Sequence, residues 1–304
     1  PGVADGFGSF DNRALLGAGA GRAPSEGAAA VWNPAAQVEE LHEAGFAAIK
    51  MWEGKPELQK ALGITLDDPR LVEAYRAAGR RGMPLLIHVA DPPAFWERSG
   101  GPWSYVDREV PSFEELLRQA AAVCRAAADT AFIFPHLLFL ADEPEGMGNF
   151  LARHRNAYLD LAPGNYLYPA LGAAATLDRY ASTRRREEAR DFFEEYAERV
   201  MLGSDAFFFP ADMPLLPGTP LSDNLERYLR LRRFLATEEC FGSPYTVDGA
   251  APLIKGLGLE AETVSKIQGE NYLRLMGGGV GSPDREAALA YLERGGRRDG
   301  LSAR

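Results

Sequence analysis

The segment DDPRLVEAYRAAGRRGMPLLIHVAD, residues 67–91, contains two periods in succession. Through LVEAYRAAGRR, apolar residues return every three or four positions among charges, the spacing of an amphipathic helix. Asp67 and Asp68 before Pro69 supply a helix start, and Gly82 supplies a stop. From Met83 the chain is apolar at strand length until His88 interrupts it. A continuous apolar run after an amphipathic helix is one step of a repeat whose strands are covered on both faces.

The same alternation extends in both directions. Strand-like runs are AAAVWNP (28–34), FAAIKMW (46–52), MPLLIHVAD (83–91), TAFIFPHLLFL (130–140), NAYLDLAP (156–163) and RVMLGSDAFFF (199–209). Between them lie helical candidates: PAAQVEELHEAG (34–45, with Gly45 as a stop), residues 67–82, PSFEELLRQAAAVCRAAA (111–128), GNFLARHR (148–155) and TRRREEARDFFEEYAER (183–199). Six strands in about 180 residues predict one α/β domain, either a doubly wound sheet or a (β/α)8 TIM barrel. Polar residues recur at strand C-terminal ends, where barrel enzymes gather their chemistry, and this favours the barrel. The expected domain is residues 1–278. Within it, the proline-rich FPADMPLLPGTPLSDN (209–224) reads as a long loop, followed by a helix capped by Ser222 or Asp223 and a last helix, ETVSKIQGENYLRLMG (262–277). Residues 279–304 read as a helical tail.

Composition narrows the function. The 304 residues are 46% hydrophobic and 25% charged, which suits a globular core, and the net charge of −10 argues against a nucleic-acid or anionic-membrane surface. Small-molecule partners are favoured, and a homo-oligomer is left open. No run of about 18 apolar residues spans a membrane, and PGVADGFGSF is not a signal peptide, so the reading is cytoplasmic. Cys124 and Cys240 are far apart and form no CxxC motif. LGAGAGR (16–22) and GGGVG (277–281) lack the context of a phosphate loop.

Four histidines are present. His42 and His154 fall among charges on helical stretches and read as surface residues. His88 and His136 each interrupt an apolar run late, as does Asp205. One such histidine is most simply a hydrogen-bonded core residue. Both histidines and Asp205, at the ends of three different units, form a donor set for Zn²⁺, Mn²⁺ or Fe²⁺, which would stabilise a carboxylate otherwise costly to bury. A metal-free His/Asp acid–base pair is the alternative, and no serine or cysteine completes a triad. Lys50 binds an anionic substrate group in one reading and is a snorkelling or ion-paired residue in another. Trp52, Phe207, Phe208, Trp96 and Trp103 either wall an apolar pocket or simply pack.

The pieces GFAAIKMW, DDPRLVEAYRAAGRRGMPLLIHVAD, FPHLLFLAD with NAYLDLAP, RVMLGSDAFF and KIQGENYLRLMG, in that order over residues 27–277, resemble the amidohydrolase superfamily, in its amidohydrolase-related branch of metal-dependent hydrolases and decarboxylases. The resemblance implies a TIM barrel in which His88 and His136 bind a divalent metal, most simply zinc, and Asp205 ligates it and takes the proton of the attacking water. His136 either binds metal or stabilises the oxyanion. The family's first-strand His-x-His or Glu-x-His pair is absent, so the expectation is a chain truncated at its N-terminus and lacking the first βα unit. The function implied is hydrolysis of a C–N or C–O bond in a small organic molecule. The alternatives are non-oxidative decarboxylation, with Lys50 pairing with the leaving carboxylate, and an inactive barrel serving as a ligand-binding scaffold.

Overall fold

A computed structural model describes residues 7–12, 15, 32–97, 99, 104–162, 179–203, 205, 221–242 and 253–277. Contacts divide the chain into two compact units, residues 1–133, 154–157 and 273–304 in the first, and 134–153 and 158–272 in the second.

In the first unit, strands β1 (Phe7–Gly8), β2 (Ala48–Gly54), β3 (Leu85–Val89) and β4 (Phe132–Phe134, whose last residue falls in the second unit) pair in parallel in chain order. Helices α1 (Pro34–Glu43), α2 (Pro56–Leu62), α3 (Pro69–Arg80), α4 (Ala94–Glu97) and α5 (Phe113–Ala126) lie between them in sequence. The boundaries follow from capping. Asn33, Asp68 and Ser112 each accept a backbone N–H of the first turn, at Ala36, Arg70 and Glu115. Gly45 and Gly82 follow the helix ends with φ of 80° and 66°, a conformation cheap only for glycine. Helix α1 packs on α3, and Leu41, Ile49, Met51, Tyr75, Leu85, Ile87 and Phe132 are fully buried. Each such side chain contributes about 1.5–3 kcal/mol of transfer free energy.

The second unit holds helix α6 (Pro144–Arg153), strand β5 (Ala157–Asp160, its first residue in the first unit), helix α7 (Arg179–Glu195), strand β6 (Val200–Met201), helix α8 (Leu221–Ala236) and a hairpin, β7 (Cys240–Gly242) with β8 (Leu253–Lys255). Strands β5 and β6 are parallel. Helix α9 (Ala261–Ser265) runs through a π turn into α10 (Asn271–Leu275). Asn271 is fully buried and donates to Ala197 O and Val200 O at 2.6 and 2.7 Å, pinning the closing helix to the start of β6. Phe134, Leu159, Phe193, Val200 and Phe234 form its buried interior.

Several expectations are corrected. Within AAAVWNP, residues 32–34 are no strand, because Asn33 and Pro34 open α1; residues 28–31 lie outside the described residues. The run 130–140 is a strand only to Phe134. Pro135, which has no N–H for a ladder, opens a short 3-10 turn in which His136, Leu137, Leu138 and Phe139 all have φ between 53° and 58°. Within the run 199–209 the described residues form a strand over Val200–Met201, whereas 204 and 206–209 lie outside the described residues. Helix α8 begins at Leu221, ahead of both expected caps. His42 is exposed as expected, but His154 is 7% exposed, because the chain turns inward there between α6 and β5. The hairpin, α2 and α4 were not legible as elements. The expected tail, 279–304, and the loop at 209–220 lie outside the described residues.

Candidate functional site

In the first unit the polar residues gather where β2 and β3 end. Met51 pairs with Ile87 and Gly54 with Val89, so Trp52 and Glu53 together face the single residue His88. This is a β-bulge, a device that re-aims side chains beside functional sites. It lays the Trp52 ring on the His88 imidazole, 5.5 Å between centroids and 13° from parallel. Lys50, two residues earlier on the same strand face, sets its Nζ 4.9 Å from the Trp52 centroid. Trp52 remains 41% exposed while His88 is buried, so the stack offers an aromatic ledge with a cation above it.

Behind His88, the chain turns through Ala90 at φ 63° and returns the Asp91 carboxylate to within 3.7 Å of His88 Nε2. Asp91 Oδ1 also accepts from Lys55 Nζ at 2.8 Å, and Oδ2 accepts the Tyr105 hydroxyl at 2.7 Å. Burial pushes the Asp91 carboxyl up, but His88 and Lys55 more than offset it and hold it below the usual range. The Tyr105 hydroxyl is pushed far up by burial and by that carboxylate. Glu53, 2% exposed, has its carboxyl raised by desolvation, against the opposing hydrogen bonds from Asn12 and the Trp52 N–H.

In the second unit, His136 sits on the left-handed turn after β4, and Asp205, half-buried, has φ 48° four residues beyond β6. Left-handed backbone costs a residue other than glycine about 1–2 kcal/mol, and such outliers cluster where chemistry constrains the chain. His136 Nδ1 bonds to Ala162 O at 3.1 Å. A carbonyl only accepts, so Nδ1 carries a proton in this bond. At the end of β5, Asp160 Oδ1 accepts the Ala162 N–H. A Cβ added at Gly203 would stand 2.1 Å from that same oxygen.

His88, Lys50 and Trp52 thus belong to the first unit and meet there, whereas His136 and Asp205 belong to the second. Phe207, with Phe208 and Trp103, lies outside the described residues. Among the described residues no three His, Cys, Asp or Glu side chains gather closely enough to hold a metal. The donor chemistry nevertheless fits a divalent cation. An imidazole whose second nitrogen donates to a backbone carbonyl is the form in which histidine ligates metals, and His136 has that form. A cavity of about 730 Å³ in the second unit is lined by Asp142, Glu143, Glu145, Glu188, Asp191 and Glu195, with neither His136 nor Asp205 at its wall.

Residues that sequence reasoning passed over are Glu53, Lys55, Asp91, Tyr105 and Asp160. The signal for three of them was present: a carboxylate inside or just beyond an apolar strand, the feature that singled out Asp205, also marks Glu53, Asp91 and Asp160.

A parallel βα chain with polar residues at its strand exits is an α/β protein of TIM-barrel type. A family model described as amidohydrolase matches residues 3–277, and the chain belongs to the amidohydrolase family. No curated protein matches it. Among solved structures it is similar to an uncharacterized TIM-barrel protein from Bordetella bronchiseptica (17% identity, TM-score 0.43, covering 80% of this chain and 61% of that one). It is also similar to IDCase from Metarhizium anisopliae in its apo form (16%, 0.46, 89% and 63%). A third is a 5-carboxyvanillate decarboxylase from Novosphingobium aromaticivorans complexed with manganese and 4-hydroxy-3-methoxy-5-nitrobenzoic acid (13%, 0.43, 90% and 64%). The chain therefore spans less than two thirds of the length of these structures. Among the described residues no helix is long and apolar enough to cross a membrane.

Proposed function

We propose that this chain carries the site of a metal-dependent hydrolase that cleaves a C–N or C–O bond in a small organic substrate. The observation that carries the reading is the Nδ1 bond of His136 to Ala162 O, the arrangement that orients a histidine to ligate metal through its other nitrogen. His88, His136 and Asp205 are the residues that would hold a divalent cation, zinc, manganese or iron by donor type. Such a cation, when bound, supplies a lowered water pKa and polarises the scissile group.

The chain's own residues supply the rest. Asp205 takes the proton of the attacking water and returns it to the leaving group. The Nδ1 bond of His136 supports a ligand role, because a backbone carbonyl acceptor is what orients imidazoles that ligate metals. Trp52 offers the exposed face against which the organic part of a substrate packs, and Lys50 above it attracts an anionic group. The net charge of −10 supports a small molecule rather than nucleic acid as partner, and a cytoplasmic setting and self-association remain compatible with it.

The Lys50–Trp52 pair favours one second reading, non-oxidative decarboxylation, in which Lys50 holds the departing carboxylate. The test uses the purified full-length protein loaded with divalent metal and a panel of lactones, amides and aromatic carboxylates. Asp205→Asn is expected to lower turnover by about 10²–10⁴-fold. Lys50→Met is expected to raise KM for carboxylates selectively if decarboxylation is the reaction. Turnover insensitive to Asp205→Asn overturns the mechanism. A full-length protein with neither metal nor turnover supports the inactive scaffold instead.

A further inference from the structure

The carboxylate of Asp160 has no part in the reaction outlined above, yet it bonds the residue whose carbonyl meets His136 and lies against Gly203, two residues before Asp205. It ends strand β5, and its Oδ1 accepts the N–H of Ala162, two residues on. The carbonyl of the same Ala162 accepts from His136 Nδ1 at 3.1 Å. On its other side lies Gly203, two residues before Asp205. A Cβ there would stand 2.1 Å from Asp160 Oδ1, 2.3 Å from Oδ2 and 2.5 Å from Cγ, distances no real Cβ adopts. Glycine at 203 is what leaves room for the carboxylate. Leu161 N donates to Met201 O at 2.9 Å, so the backbone around Asp160 is anchored to β6 independently of its side chain.

We infer that Asp160 is a positioning residue that, through Ala162, fixes the tautomer and orientation of His136, and that the missing side chain of Gly203 leaves the room in which its carboxylate sits, two residues before Asp205. The inference rests on His136 being a site residue. The physical argument is short. An Asx-type bond from a side-chain oxygen to the N–H two residues on closes a tight local loop. That loop aims the Ala162 carbonyl at His136, and a fixed carbonyl acceptor holds the imidazole proton on Nδ1. With the loop released, the ring is no longer bound to that tautomer, and Nε2 ceases to be a constant donor.

The test reads the His136 ring directly, by nitrogen NMR of the four histidines in the full chain, assigned with His136→Gln. In wild type, His136 is expected to show a pyrrole-type Nδ1 and a pyridine-type Nε2. Asp160→Asn keeps an acceptor oxygen and is expected to retain this pattern. Asp160→Ala, and Gly203→Ala, which must expel the carboxylate, are expected to shift it toward the opposite tautomer. In the metal-loaded protein, Asp160→Ala is expected to lower metal affinity and turnover by about 10–100-fold, with recovery in Asp160→Asn. An Asp160→Ala ring identical to wild type, or an Asp160→Asn ring as disturbed as Asp160→Ala, overturns the inference. Should the alanine variants not fold, hydrogen exchange of the wild-type Ala162 amide still decides it: protection is expected, and fast exchange refutes the bond. The ring signature needs neither metal nor substrate. Failure of the hydrolase reading would instead appear as turnover indifferent to Asp205→Asn with the His136 signature intact.

Discussion

Replacing Gly54 with alanine isolates how tightly the bulge holds His88. A Cβ at Gly54 would lie 2.1 Å from the His88 carbonyl oxygen and 2.9 Å from Val89 Cα, where ordinary contact begins at 3.4 Å. The deficit to that oxygen is 3.4 − 2.1 = 1.3 Å, and the obstacle is backbone, which has no rotamer to yield. Relief requires β2 and β3 to part next to the Trp52–His88 stack. Overpacking of this kind costs about 1–3 kcal/mol, occasionally more, and a backbone clash belongs at the upper end, about 3 kcal/mol. With a urea m-value of about 3 kcal/mol/M, the midpoint falls by about 1 M. Two controls separate the causes. Gly82 has φ 66° and nothing within 4 Å, so Gly82→Ala is expected to cost about 1 kcal/mol from backbone conformation alone. Gly242 has open space and ordinary φ, so Gly242→Ala is expected to be neutral or stabilising by about 0.4–1 kcal/mol. The assay is urea unfolding followed by circular dichroism, with Trp52 fluorescence reporting on the stack. A Gly54→Ala midpoint no lower than that of Gly82→Ala would refute the close-approach argument.

Three further outcomes follow from the electrostatics and the site. Glu53 has a raised carboxyl pKa, so the folded chain holds its proton more tightly than the unfolded one, and its contribution is fullest in acid and lost as pH rises through the raised value. Glu53→Gln, which cannot ionise, is therefore expected to gain stability relative to wild type as pH rises from 4 to 8, read from urea midpoints at the two pH values. Asp91 is the opposite case: its depressed pKa contributes stability above the unfolded carboxylate value, lost as pH falls through the folded one. Asp91→Asn is expected to cost about 1–2 kcal/mol at pH 7, discounted because the Lys55 side chain is 31% exposed, with the two proteins converging in strong acid. Asp205→Asn, by contrast, is expected to change the unfolding free energy by no more than about 0.5 kcal/mol, because asparagine is the same size and enters left-handed backbone as readily as aspartate, while lowering turnover.

Local chemistry carried much of the fold without any tertiary information. Asn33, Asp68 and Ser112 cap helices because a short polar side chain reaches its own first turn, and Gly45 and Gly82 stop them because only glycine enters φ near 70° cheaply. The alternation of apolar runs with amphipathic ones sufficed for the parallel βα order, and the cost of a buried carboxylate was reason enough to single out Asp205. What the chain could not disclose are the features made by a partner distant in sequence. The two-against-one pairing of Trp52 and Glu53 with His88 exists only once β3 lies against β2. The early end of β4 reflects a left-handed turn that no apolar count registers. Asp160 looked like one more polar residue in NAYLDLAP until Gly203, forty-three residues later, came to rest against its carboxylate. Caps and periods are short-range and written in adjacent residues, whereas the site is built from close approaches that only the packed strands decide.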